Sequence, residues 1–237
     1  MVLVATTGLI VAWLSDRETA TFLGTTRTEL AALAPLDNLR SAIAASLEDQ
    51  LSDQATPIAP PQQSVESCRS WVDQIKGYGQ SQKLILDPQS DIYQWAYLST
   101  VKLPERLLAE AELAALERRP KAGGERGRFL VETLAEQLKE ESRALDLALR
   151  NPNGPESEAL MNADAARQVD LAVYRPGHIG QLRTLAQQDL AFWGLCDQAL
   201  ESALGAREAA LTREDRLRRG QVLGVLALAF GAGWFLV

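Results

Sequence analysis

Ile179–Arg218, IGQLRTLAQQDLAFWGLCDQALESALGAREAALTREDRLR, is the stretch whose reading decides the fold. Leu182, Ala186, Leu190, Trp193, Leu200, Leu204 and Leu211 recur in steps of three, four or seven. Those steps place them on one face of an α-helix, close to a heptad seam. No proline interrupts the stretch, so one long helix is expected, running on into the chain's last residues. A seam of this length needs a partner. Leu190, Trp193, Leu200, Leu204 and Leu211 are the expected contacts, either with other helices of a bundle or with a neighbouring chain.

The residues that follow are the most apolar of the chain. Val222–Val237, VLGVLALAFGAGWFLV, contains no charged or hydrogen-bonding side chain except the indole of Trp234, and Gly220 and Gln221 extend the run to eighteen residues. At about 1.5 Å per residue, eighteen residues reach roughly 27 Å as a helix, close to a hydrocarbon core of about 30 Å. Leu, Val and Phe occupy nine of the sixteen positions after Gln221. Together they favour insertion by on the order of 4 kcal/mol. A C-terminal single transmembrane helix over residues 219–237 is therefore expected. Gly220, Gly224, Ala227 and Gly231 fall on one face of it and suit close helix packing, and Trp234 suits the far interface. Arg216, Arg218 and Arg219 precede the run and favour the cytoplasmic, anionic side, which would leave the main domain cytoplasmic.

The first fourteen residues, MVLVATTGLIVAWL, are also apolar but reach only about 21 Å as a helix. They read as a short anchor, a core helix or a buried strand; if they insert, both ends of the chain meet in the membrane.

Between these ends the period is mostly helical. Thr28–Ala34 and Leu36–Leu51 read as a helix pair split at Pro35, and residues 52–64 as a proline-bearing linker. Ser67–Lys76 reads as a short helix ended by Gly77 and Gly79. Residues 83–101 fit a helix, or a short strand or hairpin, because Tyr93, Trp95 and Tyr97 alternate. Pro104–Arg119, a helix with Val131, Leu134, Leu138, Leu145 and Leu149 on its stripe, and Glu156–Tyr174 complete the set. The expected organisation is an N-terminal segment over 1–62, a helical cytoplasmic domain over 63–218 and the tail over 219–237. The expected class is all-α, an irregular helical bundle.

Composition narrows the chemistry. With 46% hydrophobic and 23% charged residues the chain is globular rather than disordered. Twenty-four basic residues against thirty-one acidic ones argue against nucleic acid as a partner. Cys68 and Cys196 share no ligand spacing with each other or with His178, the single histidine, so no zinc motif can be written. His178 follows Pro176-Gly177 and reads as a capping or surface residue. Glu140 and Glu141 read as a solvated pair on the polar side of their helix. Arg118, Arg119, Lys121, Arg126 and Arg128 form the one internal basic cluster, suited to lipid headgroups or an acidic partner surface.

These features together point to a non-enzymatic, membrane-anchored accessory or scaffold subunit of an integral membrane protein complex. It would contact the lipid bilayer, use no cofactor, and could pair with copies of itself. The competing readings are a soluble helical interaction domain whose two apolar ends are buried in its own core, and a membrane-associated enzyme whose site the sequence does not locate.

Overall fold

The computed structural model describes residues 2–51, 61–82, 90–118, 124–149, 157–175 and 178–234; for residues 2–16 and most of those after Gly224 it describes only the backbone. Among the described residues every element is helical, so the chain is all-α. In order these are α1 (Val2–Ala31), α2 (Leu33–Leu51), α3 (Pro61–Ser81), α4 (Ser90–Tyr97), a π-helical turn (Leu98–Lys102), α5 (Leu103–Glu117), α6 (Glu125–Ala148), α7 (Ser157–Val173) and α8 (Ile179–Trp234). The long helix expected from Ile179 onward does run into the tail without a break.

Several boundaries differ from the sequence reading. The N-terminal apolar segment is helix, not strand. The break near Pro35 falls at Ala32, because a proline fits the first turn of the following helix, where its missing N–H has no partner to lose. Residues 90–101 are helical, not strand or hairpin; residues 83–89, and most of the linker (52–60), lie outside the described residues.

By its contacts the chain divides into two compact units, one of Met1–Ala31 with Ala203–Val237, the other of Ala32–Ser202. In the first, α1 and the second part of α8 run antiparallel. Arg218 Nη1 donates to Thr19 Oγ1 at 3.0 Å, Arg27 Nε to Glu208 Oε1 at 2.8 Å, and Arg207 pairs with Glu29 at 3.6 Å. Thr21, Thr25, Thr26 and Thr28 of α1 donate their hydroxyls to carbonyls one turn back, so these side chains are satisfied within their own helix. Among the described residues no helix is long and apolar enough to cross a membrane. Phe235, Leu236 and Val237, which close the apolar run, lie outside those residues.

In the second unit α5 is central and packs against α2, α3 and α6. Ten of its fifteen residues are buried, so it is covered on nearly every side. The π turn before it follows from Pro104. A proline ring clashes with the carbonyl four residues back and offers it no N–H, and a widened turn relieves both problems. Leu103 N accordingly donates to Leu98 O, five residues back.

Gly77 and Gly79 do not end α3; the helix continues to Ser81. A Cβ on Gly79 would sit 3.0 Å from Thr100 of the π turn, whereas one on Gly77 would meet nothing within 4 Å. Gly79 is thus the contact point between α3 and the π turn. Gly79→Ala is expected to lower stability by about 1–2 kcal/mol through overpacking. Gly77→Ala, exposed and unobstructed, is expected to raise it by about 0.5–1 kcal/mol. Urea unfolding of the two variants checks the contrast, and equal effects would refute the close-packing role of Gly79.

Candidate functional site

The residues with the most unusual surroundings are charged and fully buried. Arg106 and Glu110 of α5, Glu141 of α6, Arg167 of α7 and Asp189 of α8 each show no accessible surface, and Asp164 of α7 shows 6%. Ions placed so deep persist only when paired and hydrogen-bonded. Asp189 is the centre of the cluster. Its two carboxylate oxygens accept separately from Arg106 Nε and Arg167 Nε. Arg167 also donates to Glu141 through Nη2 and lies 3.4 Å from Asp164 through Nη1. Its guanidinium stacks on Phe192, 4.0 Å from the ring centre. Arg106 Nη1 donates to the carbonyl of Leu134 at 3.0 Å, tying α5 to the backbone of α6.

Two guanidinium groups here face four carboxyl groups. Glu110 Oε1 lies 3.6 Å from Arg106 Nε, and neither Glu110 oxygen has a hydrogen-bond partner among the described residues. Burial, reinforced by the adjacent charge of Asp189, pushes the Glu110 carboxyl far above its usual range. Burial also opposes ionisation of Asp189, but Arg106 and Arg167 outweigh it and hold that carboxyl well below the ordinary value. Burial raises Glu141 despite its contact with Arg167.

The network reverses the sequence reading of Glu141. Glu140 is exposed and receives Lys102 Nζ at 2.5 Å, as a solvated residue should. Glu141 is sealed inside, because it occupies the face shared by Leu134, Leu138 and Leu145. Sequence analysis singled out no other member of the network. The signal was present: each charge sits in a gap of an apolar stripe, Asp189 between Leu185 and Phe192, Asp164 and Arg167 between Leu160 and Leu171.

No family model matches the chain, and no curated protein or solved structure is similar to it. Function therefore rests on geometry alone.

No member of the network lines either of the two described depressions. One is a shallow face of α3, and the other a groove of about 410 Å³ lined by Leu47 and Leu51 of α2 and Ala186 and Leu190 of α8. Arg167 and Arg106 already occupy its carboxylates, and among the described residues no group of three His, Cys, Asp or Glu side chains could hold a metal ion. The ion pairs tie α5, α6, α7 and α8 together, while Arg106 Nη2 and Glu141 Oε1 are buried without a hydrogen-bond partner among the described residues.

The basic cluster is not one patch. Arg118 caps α2, donating to the carbonyls of Asp49 and Gln50, and Arg183 donates to that of Leu51. Two arginines distant in sequence thus satisfy the orphan carbonyls at a helix C-terminus that has no basic residue of its own. Arg126 and Arg128 are exposed on the first turn of α6, while Arg119 and Lys121 lie outside the described residues. In α8, Arg218 holds Thr19 and Glu214, Arg219 holds Asp215, and Arg216 is exposed.

The expected seam is used at home. Trp193, Leu200 and Leu204 are buried by the chain itself, and Leu190 and Leu211 are half-buried. Gly220, Gly224 and Ala227 are exposed; Gly231 and Trp234 are helical, and their side chains lie outside the description. Cys68 and Cys196 are free and buried, and burial pushes both thiols up, away from reactivity. His178 takes the capping position: its carbonyl accepts from Gln181 N at 2.9 Å and Leu182 N at 3.2 Å.

Proposed function

We propose that the protein is a non-enzymatic, membrane-anchored helical scaffold subunit. The distal ends of α1 and α8 insert side by side, and the bundle Ala32–Ser202 is the part offered to a partner in a membrane complex. The observation that carries this reading is a shared border. The contacts of Thr19, Arg27 and Glu29 with Arg218, Glu208 and Arg207 set the antiparallel register of the two helices. Continued along both, that register brings Leu14 level with Val222. Those are the residues at which each helix turns apolar, beyond Asp16-Arg17-Glu18 on one and Arg213–Arg219 on the other.

An antiparallel pair buries only one face of each helix, whereas these runs are apolar on every face. Lipid covers the remainder at no cost; water does not. Leu217 and Leu223 already stand 61% and 67% exposed near the border. At about 1.5 Å per residue the runs reach roughly 21 and 24 Å, enough to seat a hairpin deep in one leaflet and beyond. Arg216 at the border suits lipid phosphates, and Arg126 and Arg128 suit an acidic partner.

Flotation of the full chain with phosphatidylcholine–phosphatidylglycerol vesicles, followed by carbonate washing, tests the proposal. The wild-type chain is expected to float and to resist carbonate. Leu228→Arg with Phe230→Arg is expected to release it, since each arginine costs about 2.5–3.5 kcal/mol near the bilayer centre. Full-length protein left in the carbonate supernatant would overturn the reading.

A further inference from the structure

Helix α7 is built inside out. Its inward face carries Asp164 and Arg167 between Leu160 and Leu171, all buried. Its outward face carries Met161, Val169 and Val173, which are 60%, 62% and 55% exposed, interleaved with exposed Ala165 and Ala172. A surface helix normally shows the opposite pattern. Large apolar side chains that recur along one open helical stripe mark a contact surface.

We infer that this face of α7 binds the same face of a second copy of the chain, in an antiparallel two-fold contact. The surface is self-complementary. Exposed Glu158 sits at the start of the stripe and exposed Arg175 just past its end. Opposite charges at opposite ends of one surface satisfy each other twice when that surface meets its own two-fold mate, and repel when two such helices align in parallel. The antiparallel register that brings Glu158 beside Arg175 of the second copy sets Met161 against small Ala172, with Val173 one residue on, and small Ala165 against Gln168, with Val169 one residue on. Small residues opposite large ones let the backbones close to about 8–10 Å.

Area fixes the strength. One pair of helices of this length buries on the order of 900 Å², below the roughly 1,600 Å² of a standard stable interface. The dimer is therefore weak and reversible, and confinement to a surface would raise its occupancy without any new contact. The contact itself involves neither apolar end of the chain, so it stands or falls apart from the bilayer reading.

Sedimentation velocity of the full chain in mild detergent, over a concentration series, reads the result. The wild type is expected to shift reversibly from monomer to dimer. Glu158→Arg sets like charges together and should raise the dissociation constant at least tenfold; adding Arg175→Glu should restore it. Val169→Asp, at an exposed position that leaves the fold intact by circular dichroism, should abolish the dimer. A chain that stays monomeric at hundreds of micromolar would overturn the inference. So would a dimer indifferent to Glu158→Arg and Val169→Asp, which would place the contact elsewhere.

Discussion

Replacing Arg167 with methionine is expected to lower the stability of the Ala32–Ser202 bundle by about 3–5 kcal/mol, read as a fall of on the order of 10 °C in Tm. Methionine fills much of the same volume and keeps a contact with Phe192. What it removes is one of the two guanidinium donors of Asp189 and the donor of Glu141, both acids having no accessible surface. A carboxylate left in that position has no water to turn to, so the loss is the cost of stranding an ion rather than the worth of one pair. Glu110→Gln is the matched comparison. Burial holds the Glu110 carboxyl well above its usual range, so a glutamine there escapes a cost that grows as pH rises past the unfolded value, and stability at pH 7 should not fall. Thermal melts of both variants decide the matter. Equal losses would show Glu110 to be ionised, and a loss below about 1 kcal/mol for Arg167→Met would show the network to be dispensable.

Stability is expected to fall as pH rises from about 4 to about 6. Asp197 supplies much of this change. Burial pushes its carboxyl up to about 6, even though Arg40 sits 2.5 Å away and favours the charged form. A carboxyl raised on folding contributes stability that is complete below its unfolded value and is lost as pH climbs through the folded one. A rise of about two pH units corresponds to roughly 3 kcal/mol, and partial exposure of the side chain reduces the expected effect to on the order of 2 kcal/mol. Glu110 and Glu141 are shifted in the same direction and add to the slope. Asp189 opposes them, but only below the ordinary aspartate range. Urea midpoints measured from pH 4 to 7 should decline, and Asp197→Asn should flatten the lower half of the curve. A midpoint that rises over this window would refute the buried, reluctant ionisation of Asp197.

The helices were legible because their stripes are periodic. The stripe of α6 and the unbroken course from Ile179 to the tail follow from three- and four-residue spacing alone, and α5 was marked by the proline in its first turn. Breaks were harder. Pro35 lies inside a first turn, and Gly77 and Gly79 lie inside a helix whose neighbour, Thr100, is far away in sequence. The ionic network was illegible for a similar reason. A glutamate such as Glu141 next to Glu140 looks like half of a solvated pair until Arg167 arrives from another helix. Arg118 misleads in the same way, since the carbonyls it caps belong to α2. In each case the deciding partner lies beyond the window over which a residue pattern can be read.

The central carboxylate of Asp189, shared between two guanidinium groups from separate helices, has a consequence for how the bundle comes together. A seam of leucines alone tolerates slippage, because one leucine replaces another after a turn of about 5.4 Å. Here a slide of α7 by that distance would leave Arg167 facing hydrocarbon, Glu141 without its donor and Asp189 with Arg106 alone. The charges act like the notches of a key: they admit a single alignment of three helices and penalise every neighbouring one.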